Sequence, residues 1–210
     1  ELPFVVGHSF GGWVALETGK YHDTELGGIL FMDFTTAPPE QYLEWGLRAE
    51  REGVAPGRKL RVYEEKEAAL KRFRFIPEQP GVHPAVLGHL AEYGLKAVDG
   101  GWTWKFDPAL FDHMEMGVAQ RDTFAQLTTK RALMLGEQSE DEGAFYADHM
   151  LEITGGLLPT ITVPGTFHHL MFDQPLAVAM AMKMLLLEWH RQNNNAAYKA
   201  ALSAVSPAGA

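Results

Sequence analysis

The chain opens with Leu2-Pro3-Phe4-Val5-Val6-Gly7-His8-Ser9-Phe10-Gly11-Gly12, and the fold class can be read outward from this stretch. Its first five residues form a continuous apolar run, which favours a strand covered on both faces. The next five fit the pattern G-x-S-x-G, and Phe10 to Tyr21 has helical spacing. Small residues here let the chain turn sharply, so that the Ser9 hydroxyl projects above the sheet edge. The Phe10 N–H then lies at a helix N-terminus, where it can face a developing oxyanion.

A second buried strand follows the predicted helix. Ile29 to Met32 is an apolar run that ends at Asp33, so strand, helix and strand form a βαβ unit. The same alternation returns later, with strands predicted at 132–135 and 160–163 and helices at 142–153 and 175–190. The sequence therefore predicts an α/β fold whose parallel strands are flanked by helices.

The pattern between these two parts of the sheet is different. Pro38-Pro39 breaks the chain, and helices are predicted at 63–73 and 85–93. We therefore expect core segments at 1–35 and 125–192 and a mostly helical cap or lid insertion at 36–124. The remaining residues, 193–210, are rich in Asn, Ala and Ser and are predicted to be a flexible tail.

Composition excludes several classes of function. The chain has 210 residues, a formal net charge of -9 and no cysteine, which rules out disulfides, thiolate chemistry and Cys-based zinc sites. An acidic balance argues against nucleic-acid binding, and the longest apolar stretch is too short to span a membrane. We expect no cofactor or metal, no nucleic-acid or membrane partner, and a cytoplasmic location. No metal-ligand spacing is found among His83, His89, His113 and His149.

The loop after the last predicted strand carries two histidines. A serine hydroxyl is a poor nucleophile and needs a base, and His168 and His169 lie in the loop that follows residues 160–163. The carboxyl edge of a parallel sheet is where such sheets carry their sites. Either histidine is therefore a candidate base for Ser9.

These motifs resemble the α/β-hydrolase family, in its esterase and peptidase-like group with a helical cap, over residues 2–190. The family's elbow often reads G-H-S-x-G-G, as in Gly7 to Gly12. Its histidine loop often reads P-G-x-x-H with a later acidic-x-Pro end, as in Pro164 to His168 and Asp173 to Pro175. This resemblance selects His168 over His169 as the base, although Phe167 stands where the family usually has Gly.

The sequence identifies the acid of the predicted site less directly than the serine and the histidine. The family usually supplies Asp in G-x-x-D after a strand, and here Ser139 stands at that place. A similar subset of the family has Ser there and takes its acid from the end of the strand after the elbow, which is Asp33. Glu140 and Glu137 are the alternative acids, and Asp33 could instead only order the loop at its strand end.

The resemblance implies a serine hydrolase that cleaves small-molecule carboxylic esters through a Ser-His-Asp acyl-enzyme mechanism. The same triad could serve amide, thioester or C–C bond hydrolysis or acyl transfer. A non-catalytic, receptor-like homologue and a structural fragment are further alternatives. The family sheet has four more strands before the elbow, and a second oxyanion donor among them. We therefore expect a missing N-terminal half as partner, and little activity from this chain alone.

Overall fold

A computed structural model describes residues 1–44, 60–107, 118–140 and 145–205, with side chains described up to residue 196. The chain divides into two compact units. The sheet unit comprises Glu1–Thr36 and Asp122–Ala210, and the inserted unit comprises Ala37–Arg121. The role of the inserted unit as a cap or lid stays a prediction.

The strands and helices of the described residues are numbered in chain order. They are β1 (Phe4–His8), α1 (Phe10–His22), β2 (Gly28–Met32), α2 (Lys66–Leu70), α3 (Pro84–Gly94), β3 (Leu95–Val98), β4 (Gly101–Trp104), α4 (Val118–Gln126), β5 (Arg131–Gly136), α5 (Ala147–Ile153), β6 (Thr160–Val163), α6 (Leu170–Asp173) and α7 (Pro175–Val205). A single 3-10 turn at Asp23–Glu25 follows α1.

In the part of the chain that the structure describes, the sheet unit is built on four parallel strands in the order β1-β2-β5-β6. Phe4 pairs with Gly28, Ile29 with Arg131, and Leu133 with Thr160. The predicted α/β fold with parallel strands is therefore confirmed. Because the strands are parallel, the residues that follow them lie along one edge of the sheet.

Two apolar clusters cover the two faces of this sheet. All of β2 is buried, and Ile29 and Phe31 belong to one cluster while Leu30 and Met32 belong to the other. This division follows the pleat, which points successive side chains to opposite faces. The first cluster also contains residues of α1, α4 and α5, and the second contains residues of α6 and α7. Burial on both faces makes β2 a rigid support for the residues at its end.

The expectation that β1 is covered on both faces is wrong at Val6, which is 39% exposed. In the part of the sheet that the structure describes, β1 lies at one edge and pairs only with β2. An edge strand has a neighbour on one side only, so its side chains are covered less completely than those of a central strand.

Three helices differ from their predicted bounds. The helix predicted at 63–73 is limited to α2, because Tyr63 instead pairs with Trp102 through two backbone hydrogen bonds of 2.8 and 2.7 Å. Within the described residues, the helix predicted at 142–153 is α5; residues 141–144 lie outside that part. The closing helix α7 continues to Val205, beyond its predicted end at residue 190, because the Asn- and Ala-rich segment contains no Pro or Gly before residue 207. The flexibility of residues 193–210 stays a prediction.

The inserted unit contains a hairpin as well as helices. Helix α3 begins as predicted, with Pro84 in its first turn and the His83 ring accepting a hydrogen bond from Ala85 N–H. Strands β3 and β4 then form an antiparallel hairpin that the predicted mostly helical insertion did not include. Gly101 has a φ of 139°, and a Cβ there would lie 2.0 Å from the Tyr63 carbonyl oxygen, so this strand position requires glycine.

Candidate active site

Ser9 lies on the turn between β1 and α1, in a strained backbone conformation. Its φ of 52° and ψ of -123° are rare for a residue with a side chain. The turn is held by hydrogen bonds from Ser9 N–H to Met32 O (3.0 Å) and from Gly12 N–H to Ser9 O (2.7 Å). A Cβ at Gly7 would lie 2.1 Å from the Gly11 carbonyl oxygen, so strand and helix can approach this closely only at glycine. The predicted sharp turn is thus present.

His168 lies in the loop after β6 and is 3% exposed. Its Nε2 is 2.8 Å from Ser9 Oγ, and its Nδ1 is 2.9 Å from Asp33 Oδ1. A carboxylate can only accept a hydrogen bond, so Nδ1 carries the proton of the neutral ring. Nε2 then offers its lone pair to the Ser9 hydroxyl, which is the arrangement a general base requires.

Asp33 follows β2 and is fully buried. Besides His168, its carboxylate accepts hydrogen bonds from Gly136 N–H (2.8 Å) and from Ser139 Oγ (2.6 Å). Three donors around one buried carboxylate offset the cost of removing it from water. Ser139, which stands where the family usually has its acid, therefore donates to the acid at the end of the neighbouring strand β2.

The other predicted site residues lie around this group. Glu137 accepts a hydrogen bond from Gly165 N–H (2.8 Å) and so holds the start of the histidine loop, while Glu140 is exposed. Phe10 is the first residue of α1, so its N–H lies at the positive end of the helix. The structure brings Ser9, His168 and Asp33 together, whereas Glu137 contacts the backbone of the histidine loop and not the His168 ring.

Sequence reasoning missed the side chains that hold the histidine loop. Asp173 accepts a hydrogen bond from Phe167 N–H (2.8 Å), and the ring of His8 contacts the His168 carbonyl oxygen (2.9 Å). The signal for Asp173 was in the acidic-x-Pro end of the loop. Phe167 contributes its backbone to this contact, which any residue but proline could do, so its departure from the family's Gly leaves the loop intact.

His169 is half-buried beside two other imidazoles. Burial lowers its pKa to about 4, and the nearby rings of His168 and His8 disfavour its charged form further. The ring centroids lie 4.9 Å from His168 and 5.3 Å from His8. His169 is therefore neutral at neutral pH and adds no charge beside His168.

The described residues contain no group of acidic, cysteine or histidine side chains that could hold a metal ion. Within the same parts of the chain, no helix combines the length and the apolar character needed to cross a membrane. In the candidate site, Ser9, His168 and Asp33 lie in one hydrogen-bonded line.

A strand-turn-helix serine, a histidine after the last strand and an acid at a neighbouring strand end define the class of α/β folds with a nucleophile elbow. The sequence model of the alpha/beta hydrolase family matches residues 1–181. The chain belongs to the alpha/beta hydrolase family, as its motifs indicated. No protein of curated function matches the sequence.

Solved structures with the same fold include two named hydrolytic enzymes and a thioesterase domain. E-2-(acetamidomethylene)succinate hydrolase has 19% identity and a TM-score of 0.65, over 86% of this chain and 65% of its own. The thioesterase domain from the curacin biosynthetic pathway has 17% identity and a TM-score of 0.60, over 88% and 65%. An esterase of Mycobacterium tuberculosis has 21% identity and a TM-score of 0.65, over 87% and 62%. The chain thus spans slightly less than two thirds of the length of these relatives.

Proposed function

We propose that this chain carries the nucleophile, base and acid of a serine hydrolase that cleaves carboxylic esters. The observation that carries the proposal is the unbroken line of hydrogen bonds from Asp33 through His168 to Ser9, at 2.9 and 2.8 Å. The contact with Asp33 favours the tautomer of His168 whose Nε2 is able to accept the proton of Ser9.

In the first half of the proposed reaction, Ser9 Oγ attacks the ester carbonyl carbon while His168 Nε2 takes its proton. Asp33 stabilises the imidazolium that forms, and the N–H of Phe10 donates to the oxyanion. The tetrahedral intermediate then collapses. The C–O bond to the leaving alcohol breaks, and His168 returns the proton to that oxygen.

In the second half, water attacks the acyl-Ser9 carbonyl and His168 takes the water proton. The intermediate breaks at Ser9 Oγ, which regains its proton from His168 as the carboxylic acid leaves. The relatives have additional chain, and we propose that a preceding part of the same fold supplies a second oxyanion donor. The expectation of slow turnover by this chain alone follows from that missing donor.

A second candidate is the use of the same three residues on a thioester, favoured by the similarity to a thioesterase domain. Both reactions pass through acyl-Ser9, so the site chemistry does not distinguish them. A panel of p-nitrophenyl esters and acyl thioesters of matched chain length separates the two. A preference for the ester supports the first candidate, and a preference for the thioester supports the second.

The test of the common mechanism is covalent labelling with a fluorophosphonate probe, located by peptide mass spectrometry. Labelling needs an activated serine but not turnover, so we expect an adduct at Ser9 in the chain as it stands. The adduct should be lost in His168→Ala and kept in His22→Ala, which changes an exposed histidine of α1. A folded chain without a Ser9 adduct would contradict the assignment.

A further inference from the structure

His8 is the residue directly before Ser9, at the end of β1, and the proposed function gives it no role. Its Nε2 lies 2.9 Å from the backbone carbonyl oxygen of His168. A carbonyl oxygen can only accept, so His8 Nε2 must carry a hydrogen and donate it. This one bond joins the strand end that carries the nucleophile to the loop that carries the base, across 160 residues of chain.

We propose that His8 is a positioning residue that holds the backbone of His168 at the distance from Ser9 that proton transfer requires; this inference rests on the proposed function. Other contacts restrain the same loop earlier, where Gly165 N–H donates to Glu137 and Phe167 N–H donates to Asp173. Asp33 restrains the His168 ring at Nδ1. The bond from His8 restrains the carbonyl of His168 itself.

The distance between His168 Nε2 and Ser9 Oγ, 2.8 Å, depends on both backbones. Ser9 is fixed because its N–H donates to Met32 and its carbonyl accepts from Gly12. His168 sits on a loop, which lacks the regular backbone hydrogen bonds of β1. A direct hydrogen bond from the residue next to Ser9 couples the end of β1 to the loop that carries His168. A displacement of one of these segments therefore displaces the other, and the distance between Ser9 and His168 is kept.

The alternative is that His8 acts only by packing. Its ring lies 4.9 Å from the ring of His168 and 5.3 Å from that of His169, which is within stacking range. The two roles make different demands on residue 8. Packing needs a flat ring, whereas positioning needs an N–H at the place of Nε2.

Three substitutions separate these demands. His8→Gln loses the ring but keeps an N–H donor as many bonds from Cβ as Nε2 is. His8→Phe keeps a ring but has no donor. His8→Asn has a donor one bond closer to Cβ, where it falls short of the carbonyl. His22→Gln, on the exposed end of α1, is the matched control.

The experiment measures fluorophosphonate labelling of Ser9 as a function of probe concentration, which separates the rate constant of the covalent step from probe affinity. We expect His8→Phe and His8→Asn to lower the rate constant by about tenfold to a hundredfold, the cost of a small misplacement of a reacting group. Probe affinity should not change, His8→Gln should stay within about fivefold of the native rate, and His22→Gln should match it.

A native rate in folded His8→Phe, or a rate in folded His8→Gln as low as in His8→Phe, would overturn the proposal. Absence of labelling in the unsubstituted chain would instead contradict the proposed function, so the two failures are distinguishable. If the Phe and Asn variants do not fold, nitrogen-15 NMR of the histidine rings in the native chain decides the question. A His8 ring protonated at Nε2 supports the bond, and a ring protonated only at Nδ1 overturns it.

Discussion

Replacing Asp33 by Asn tests the acid of the site, because it keeps the shape of the side chain and exchanges one acceptor oxygen for a donor. Asp33 is fully buried, and its two oxygens accept from Gly136 N–H, Ser139 Oγ and His168 Nδ1. If the new amide nitrogen takes the place of Oδ2, it opposes the Gly136 N–H. Two donors then face each other in a buried site.

If the amide nitrogen takes the place of Oδ1, it opposes His168 Nδ1–H instead. The Ser139 hydroxyl can rotate to accept, but His168 must lose its Nδ1 proton and carry it on Nε2. The ring then presents an N–H to Ser9 and cannot take its proton. The first orientation leaves two opposed buried donors, which costs about 1–3 kcal/mol of stability. The second replaces charge-assisted hydrogen bonds by weaker neutral ones, at a cost of about the same size, and it removes the base as well.

We therefore expect Asp33→Asn to lower the free energy of unfolding by about 1–3 kcal/mol. We expect its Ser9 labelling rate to fall by about 10³- to 10⁴-fold, as a wrong tautomer and a lost carboxylate do in Ser-His-Asp enzymes. Urea unfolding measures the first quantity, and the time course of fluorophosphonate labelling measures the second.

The controls are Glu137→Gln and Glu140→Gln, which remove the two alternative acids. Glu137→Gln should have a smaller effect than Asp33→Asn, because the Glu137 carboxylate contacts the Gly165 backbone. Glu140→Gln should leave the labelling rate unchanged, since that side chain is exposed. A folded Asp33→Asn variant labelled within about tenfold of the native rate, or a Glu140→Gln variant as slow as Asp33→Asn, would refute the assignment.

Three further predictions concern the surroundings of the site. Gly7→Ala should lower the free energy of unfolding by about 3 kcal/mol, because its Cβ would lie 2.1 Å from a backbone oxygen. The control is Gly11→Ala, whose Cβ meets nothing within 4 Å and which should be neutral or stabilise α1 by up to about 1 kcal/mol. Thermal melts of both variants measure the difference. Ser139→Ala removes one of three donors to Asp33, so its labelling rate should fall by less than about tenfold, and a loss equal to that of Asp33→Asn would be inconsistent with an accessory role. His169 binds a proton more weakly in the folded than in the unfolded state, so the free energy of unfolding should fall as pH drops from 6.5 to about 4. In urea titrations at several pH values, His169→Gln should reduce the dependence of the free energy of unfolding on pH between 6.5 and about 4. An unchanged dependence would mean that other groups cause it.

Much of the sheet unit could be predicted from local pattern. The apolar run of β2 is fully buried, and it ends at Asp33, so the rule that parallel strands end at one edge brings this acid near Ser9. The choice of His168 over His169 needed the motif of the loop, because two adjacent histidines have the same local sequence environment. Periodicity and motif spacing were sufficient to predict that Ser9, Asp33 and His168 lie close together, because all three follow strands that end at the same edge of the sheet.

The remainder depends on partners that local sequence does not reveal. The sequence predicts a helix that begins at Tyr63, yet the backbone of Tyr63 pairs with that of Trp102, which is far away in the chain. The apolar run of β1 predicts a buried Val6, but Val6 is exposed because β1 lies at an edge of the described sheet. His8 stands at a position for which the pattern G-x-S-x-G specifies no residue type, so its bond to His168 emerges only when β1 and the histidine loop are seen in space.

The hydrogen-bonded line of the candidate site is confined to one unit of the protein. Ser9, Asp33 and His168 all belong to the sheet unit, and residues 37–121 contribute none of them. The last residues before that segment are tied within the sheet unit, since Tyr146 N–H donates to Thr35 and Thr36 N–H contacts Met150 Sδ. Recombination between homologous genes inside 37–121 would therefore change the sequence of the inserted unit while the three residues of the candidate site are inherited unchanged.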